Sequence, residues 1–322
     1  MSTIVQTYEL SPENTQQIEL LVSQFRSQNP GMTATEFALE AELLSHRLPE
    51  ALKRFVMRFK SHEAASAILI RNAPVDPGRI GPTPSSHRAK GYYPVSIEEM
   101  IHMMLGSLLG NPVGFETQQN GHICNDIIAV PGTEELSNFS GGSKHFFSYH
   151  TEDSFHKTPP DYIGLMCLRN NEQCPTIVST YDLGALDDDD VSALFEDRYL
   201  VPPNVAQARN GDRFLRQTQV FFGNRRRPFL RVNMCLMKPA DYAGAAGRAL
   251  GRLFESIIAN QREIHMRAGD CLYVDNFSTA HARPAYRPYG DGTGRWLKRI
   301  VLYRDARRPV EFLREPTARV LE

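Results

Sequence analysis

The chain has 322 residues, 41% of them hydrophobic, with a formal net charge of −1 and a pI of about 6.8. That is enough apolar material for a large core, and it gives no electrostatic case for nucleic acid or an anionic membrane surface. No apolar run reaches the ~18–20 residues that span a bilayer, the start MSTIVQTYEL lacks the pattern of a signal peptide, and five scattered cysteines without a C-x-x-C pair argue against a zinc or disulfide framework and fit a reducing cytosol.

The first sixty residues read as helices. Ser11 followed by Pro12 and Glu13 opens the first, with Ile18, Leu21, Val22 and Phe25 on one face. Thr33 and Glu36 have capping-box spacing ahead of Phe37, Leu39, Leu43 and Leu44. Pro49 opens a third helix, with a stripe of Leu52, Phe55, Val56 and Phe59, and all three stripes are expected to face a core. Ala67-Ile68-Leu69-Ile70 is a short β-rich run, closed by the turn-rich segment 72–86. Ser96 and Glu99 cap a further helix whose Met100, Met103, Met104 and Leu108 read as core filler.

From Gly114 onward the pattern is mostly β. Strands are expected near 123–130, 146–152, 162–168, 176–179, 263–267, 271–274 and 297–303. Asp187 to Asp190 read as an acidic turn and helix N-terminus. A long helix interrupts the strands over about 240–260, with Leu250, Leu253, Phe254, Ile257 and Ile258 as its buried face. Helices followed by many short strands predict one domain over 1–322, in the mainly-β or α+β class. Its core would be a double-stranded β-helix, or jelly roll, with flanking helices. Residues 1–62 would be a helical elaboration, and about 205–237 a lid inserted between core strands.

The chemistry centres on His150-Thr151-Glu152. On an extended strand, residues two apart share a face. An imidazole and a carboxylate side by side are two of the three ligands of the facial triad that holds non-haem Fe(II). The third ligand must be a histidine from another strand. His281 follows the strand-like run Cys271 to Asn276, 131 residues after His150, far enough for the chain to return with a lid inserted. Arg295 stands 14 residues past His281, one hairpin's length, where a planar guanidinium can meet a carboxylate.

Together, His150-Thr151-Glu152, Leu272–Asp275 with Asn276-Phe277 and His281-Ala282-Arg283, and Arg295-Trp296-Leu297-Lys298-Arg299 resemble the clavaminate synthase-like Fe(II)/2-oxoglutarate oxygenases, which are related to TauD. Within that group the look is that of the arginine and asparagine β-hydroxylases of antibiotic pathways. The resemblance runs from Ala73-Pro74-Val75-Asp76 to Asp305.

It implies Fe(II) on His150, Glu152 and His281, 2-oxoglutarate as co-substrate on Arg295 and Thr176, and consumption of O2. It also implies a free amino acid held by its α-groups at Gln119, Ser140, Glu152 and Arg299, with Gln118 as the alternative to Gln119. The substrate is expected to be a free L-amino acid or derivative, hydroxylated at the β-carbon. Arginine-specific members carry two aspartates in the lid, where this chain has Leu230-Arg231-Val232-Asn233-Met234-Cys235. An unpaired guanidinium buried there would be costly, so arginine is disfavoured and Asn233 suits a neutral polar side chain. Two rival readings are an oxygenase of the same family that desaturates, cyclises or acts on a carrier- or peptide-bound substrate, and a non-catalytic jelly-roll binding protein.

Overall fold

In the computed structural model, residues 4–61, 65–137, 139–203, 217–313 and 319–321 are described. The chain opens with a strand, β1 (Val5–Glu9), where the sequence suggested only helices. What makes it a strand is a distant partner: it pairs in parallel with β2 (Ala67–Arg71). Between them lie α1 (Pro12–Gln28), α2 (Ala34–Ser45) and α3 (Glu50–Lys60). Ser11 caps α1 by accepting from the Asn14 N–H at 3.2 Å, and Thr33 and Glu36 form the reciprocal capping box of α2.

Ile18, Leu21 and Val22 are buried as expected. On α2 the expected stripe is corrected. Leu39 and Leu43 are exposed, and Phe37, Ala38, Ala41 and Leu44 face inward. Positions 37, 41 and 44 share one side of a 3.6-residue helix, and the small Ala41 suits close packing on α5.

After α4 (Pro77–Ile80) comes α5 (Ile97–Ser107), buried from Glu98 onward. The expected core methionines Met100, Met103 and Met104 are fully inside. The β-rich part then supplies β3 (Asn111–Phe115), β4 (Asn125–Ile128), β5 (Phe147–His150), β6 (Tyr162–Arg169) and β7 (Thr176–Ser179). Next come α6 (Asp188–Leu194), capped by Asp187, and β8 (Tyr199–Leu200). The candidate lid at 205–237 lies outside the described residues over 205–216. Its described part holds the hairpin β9 (Phe221–Asn224) and β10 (Arg227–Leu230).

β11 (Lys238–Pro239) pairs with β8, which delays the long helix α7 to Ala245–Ala259. Leu250, Leu253 and Ile257 are its buried face, while Ile258 is exposed, contrary to expectation. The chain ends with β12 (Arg262–Ile264), β13 (Cys271–Asp275), β14 (Ala280–Arg283), β15 (Trp296–Tyr303) and β16 (Val320–Leu321). The turn before β13 needs glycine. Gly269 has φ 85°, and a Cβ there would lie 2.4 Å from the Ala73 carbonyl oxygen.

The strands form an eight-stranded sheet, in the order β1-β2-β13-β6-β15-β3-β16 with β4 on β15, and a four-stranded sheet, β12-β7-β14-β5. The fold is therefore mixed α+β with a large mainly-β core. Side chains alternate across the large sheet. Ile68 and Ile70 of β2 join the helices in one apolar cluster, while Ala67 and Leu69 join another that also holds Val178 of the small sheet. At about 1.5–3 kcal/mol per large side chain, these two layers hold the sheets and the N-terminal helices together. One pocket receives side chains from both sheets: Ile163, Leu165, Leu297 and Arg299 from the large one, and His150, Thr176, His281 and Arg283 from the small one.

Candidate active site

His150 ends β5 and sits directly opposite His281 of β14. Their ring centroids are 4.2 Å apart. Glu152 is not on the strand, as the two-residue spacing had suggested. The strand stops at His150, and the chain turns through Asp153 in the left-handed region, at φ 48°. Glu152 is brought to the histidines by Asn276. The Glu152 N–H donates to Asn276 Oδ1 at 2.6 Å, and Asn276 Nδ2 donates to the carbonyls of Glu152 at 3.0 Å and Pro160 at 2.9 Å. Nothing local in the sequence marked Asn276 for this role beyond its place as a buried amide closing an apolar strand.

One ligand atom from each of His150, Glu152 and His281 lies within 4.8 Å of the others. The set fits a divalent iron. Two imidazoles and a carboxylate are the donors of the facial triad. His150 Nδ1 donates to the Ser148 carbonyl at 2.7 Å, which leaves Nε2 with its lone pair available. His281 Nδ1 is buried without a hydrogen-bond partner, and Nε2 is 3.5 Å from Glu152 Oε2. Burial, and then the neighbouring His281, push the His150 pKa down to about 4, so the ring stays neutral. For Glu152 burial acts to raise the pKa, but Arg299 and the imidazoles outweigh it and hold it down at about 2. A neutral imidazole beside an ionised carboxylate is what a metal needs.

Arg299 of β15 is the hub beside this triad. Its Nη1 donates to Glu152 Oε1 at 2.6 Å, and its Nη2 donates to Asn125 Oδ1 at 2.5 Å and to Gln118 Oε1. Gln118 also donates to Asp153 Oδ1 at 2.8 Å. Gln119 lines the same pocket, but both ends of its amide are held by the Asp126 backbone, each at 2.8 Å. Ser140 lines the pocket from the loop before β5. Asn233 bridges to His150 through the backbone, and its Oδ1 accepts from the N–H groups of Cys235 and Leu236. Arg295 is buried, donates to Thr176 Oγ1 at 3.3 Å, and keeps an unpartnered Nε. Asp153 and Arg283 line the pocket and Asn125 bonds to Arg299, and none of the three was given a role from sequence.

The opposite face of β15 carries a second buried charge cluster. Lys298 Nζ lies 2.9 Å from Glu99 Oε1 and 2.5 Å from Asp126 Oδ1. Arg88 reaches Glu99 at 2.8 Å, and Trp296 Nε1 donates to Asp126 at 2.7 Å. Burial alone would raise the Glu99 pKa, but Lys298 and Arg88 hold it at about 2.

Among the described residues no helix is long and apolar enough to cross a membrane. Residues 90–301 match the family described as "Taurine catabolism dioxygenase TauD, TfdA family". The chain is 28% identical to the enduracididine beta-hydroxylase of Streptomyces hygroscopicus, covering 98% of this chain and 99% of that protein. It is 31% identical to the L-ornithine/L-arginine 3-hydroxylase of Catenulispora acidiphila, over 91% of this chain and 92% of the relative. The fold superimposes on the non-heme iron oxygenase OrfP in complex with Fe, succinate and (3S)-hydroxy-L-Arg, with a TM-score of 0.90 and 30% identity over 98% of this chain and 100% of that one. OrfP has also been solved with Fe and alpha-ketoglutaric acid. With a facial triad and a buried arginine in one pocket, and this likeness running over nearly its whole length, the chain belongs to the TauD/TfdA dioxygenase family.

Proposed function

We propose that this protein is an Fe(II)- and 2-oxoglutarate-dependent dioxygenase that hydroxylates a free L-amino acid or amino-acid derivative at the β-carbon, in the biosynthesis of a specialised metabolite. The observation that carries the reading is Arg299 Nη1 at 2.6 Å from Glu152 Oε1. A guanidinium bound to the metal carboxylate can take the α-carboxylate of an amino acid in its planar fork. That anchors the backbone of the substrate next to the iron, so the first side-chain carbon is the one presented. The curated relatives include a beta-hydroxylase and a 3-hydroxylase, which supports the same position.

His150, Glu152 and His281 would hold the iron. Arg295 with Thr176 would hold the far carboxylate of 2-oxoglutarate. Bound Fe(II) supplies the oxidative chemistry, in which O2 is consumed and the keto acid is converted to succinate and CO2. The chain's own work is binding, orientation and exclusion of water, the last through Phe139, Phe147, Phe155 and Leu236 on the pocket wall. For the α-groups we assign Arg299, Glu152, Ser140 and Gln118. Gln118 replaces Gln119 because it touches Arg299 and the Gln119 amide is taken by backbone.

We read the two sheets as facing walls of a jelly roll, since one pocket is lined from both. We read the chain as one domain, because the N-terminal helices share an apolar cluster with the large sheet. Residues 205–237 are assigned as a lid. Its described part bonds to the metal strand, Thr151 N–H to the Val232 carbonyl and Met234 N–H to that of Tyr149, each at 2.9 Å. We place the protein in the cytoplasm, in keeping with its free cysteines.

No acid occurs in residues 230–235, the lid segment set against the two aspartates of arginine-specific members, and the Asn233 amide oxygen is occupied by backbone. Both favour a neutral or weakly polar side chain over arginine. The test is a screen of the proteinogenic amino acids for substrate-stimulated succinate release, with mass spectrometry for a gain of one oxygen. A neutral amino acid is expected to be turned over best. Strong turnover of arginine would overturn the lid argument, and turnover of carrier-bound or peptide substrates alone would overturn the role of Arg299.

A further inference from the structure

Arg283 is the unexplained cation of the pocket. It stands two residues after the metal ligand His281 on β14, so the two side chains share the face that lines the cavity. Its side chain is buried, with 6% of the residue exposed. Nη2 donates to the Gly142 carbonyl at 2.8 Å, and Nη1 has no hydrogen-bond partner. Arg295, with 4% exposed, is in the same condition, one nitrogen on Thr176 and Nε unpartnered. Both guanidiniums lie near one ring: Arg283 is 4.9 Å and Arg295 6.0 Å from the centroid of Tyr286. Neither forms a salt bridge with an acid among the described residues.

Two buried cations lining one pocket with no counter-charge are costly. A cation-π contact to Tyr286 offsets only a small part of that cost. The arrangement is stable when an anion with several acceptor atoms enters the pocket that both line and pairs with both. We propose that Arg283 is a second cation for the far carboxylate of 2-oxoglutarate, acting with Arg295 and making the site selective for keto acids that carry a carboxylate at both ends. This inference rests on the proposed function, which supplies the keto acid. Its consequence is structural as well. Through Nη2 and the Gly142 carbonyl, the same guanidinium ties the co-substrate end of the pocket to the loop that carries Ser140. It therefore connects the metal strand, the co-substrate and the wall assigned to the amino acid.

The test uses the full chain loaded with Fe(II) without oxygen, and reads equilibrium binding by calorimetry and by the visible charge-transfer band of the iron–keto acid complex. Two ligands are compared: 2-oxoglutarate, and 2-oxopentanoate, which has the same carbon count and no far carboxylate. Arg283→Gln is expected to weaken 2-oxoglutarate about ten- to a hundred-fold, the scale of one or two hydrogen bonds between charged groups, and to leave 2-oxopentanoate unchanged. Arg283→Lys keeps the charge and is expected to recover most of the preference for the dicarboxylate, which also covers the case of a glutamine variant that does not fold. Equal losses for both ligands, or no loss for either, would overturn the role of Arg283. So would a lysine variant with no preference left. If Arg295→Gln weakens 2-oxoglutarate and Arg283→Gln does not, only this inference fails. If wild-type protein gives no charge-transfer band with 2-oxoglutarate, the proposed function itself fails.

Discussion

The two faces of β15 carry two buried charge clusters of opposite character. On the helix side, Lys298 and Arg88 meet Glu99 and Asp126, two cations against two anions. On the pocket side stand Arg283, Arg295 and Arg299 against Glu152 and Asp153. The first cluster is closed by the protein itself and offers nothing to a ligand. The second leaves guanidinium nitrogens of Arg283 and Arg295 and the Nδ1 of His281 without partners. Within β15 strand parity assigns the residues: Leu297 and Arg299 face the pocket and Lys298 faces the helices, while Arg295 lines the pocket from just before the strand. A buried charge is thus no sign of function in itself. The sign is a buried charge that the fold leaves for something else to complete.

The sharpest break is at the metal. His281→Ala or His150→Ala is expected to abolish iron binding, measured as bound metal, together with succinate formation. Full turnover in either variant would remove the triad from the argument. Next comes the pocket's buried arginine. Arg295→Ala is expected to raise the apparent KM for 2-oxoglutarate by about two to three and a half orders of magnitude, since removing one partner of a buried pair costs about 3–5 kcal/mol. An unchanged KM would transfer that role to Arg299.

The closed cluster should respond in stability and not in co-substrate binding. Lys298→Met leaves Glu99 and Asp126 with Arg88 alone and is expected to cost about 3–5 kcal/mol of unfolding free energy at neutral pH. The pH dependence has a definite sign. The Glu99 pKa is depressed from its ordinary 4.5 to about 2 in the fold. Its contribution is therefore present above pH 4.5 and lost as the pH falls through about 2. Denaturant unfolding across that window should show the deficit of Lys298→Met at full size near neutrality and shrinking toward pH 2. A deficit that does not change with pH would mean that packing of the lysine stem, and not its charge, is what the cluster contributes.

Much of this was legible in sequence because it is local. The capping pairs Thr33 with Glu36 and Ser96 with Glu99 need only a three-residue spacing, and strands such as 176–179 and 271–275 announce themselves by composition. The reading failed where the cause is distant. β1 becomes a strand through β2, and α2, which packs on α5, turns Ala41 inward and leaves Leu43 in solvent. At the site, His150 and Glu152 were paired for the wrong reason. The two-residue rule assumes a strand that in fact ends at His150, and the hydrogen bonds of Asn276 to Glu152 cross 124 residues. No periodicity encodes such a contact.

The smallest expected effect separates two neighbouring amides. Gln118 accepts from Arg299 and donates to Asp153 at 2.8 Å, so it orients the guanidinium assigned to the substrate's α-carboxylate. Gln119 has both amide atoms on the Asp126 backbone, in a residue with φ 46°, and so fixes the loop before β4. Gln118→Ala removes a hydrogen bond to a charged group, worth about 1.5–3 kcal/mol, but Asn125 and Glu152 still hold Arg299 at 2.5 and 2.6 Å. A loss at the low end follows, about a ten-fold rise in KM for the amino acid, with the KM for 2-oxoglutarate unchanged. Gln119→Ala should instead lower stability by about 1 kcal/mol per lost neutral hydrogen bond and leave the amino-acid KM near wild type. Steady-state kinetics for both substrates, with denaturant unfolding of each variant, would decide it. The reverse pattern would return the α-group role to Gln119 and make Gln118 a prop of the pocket wall.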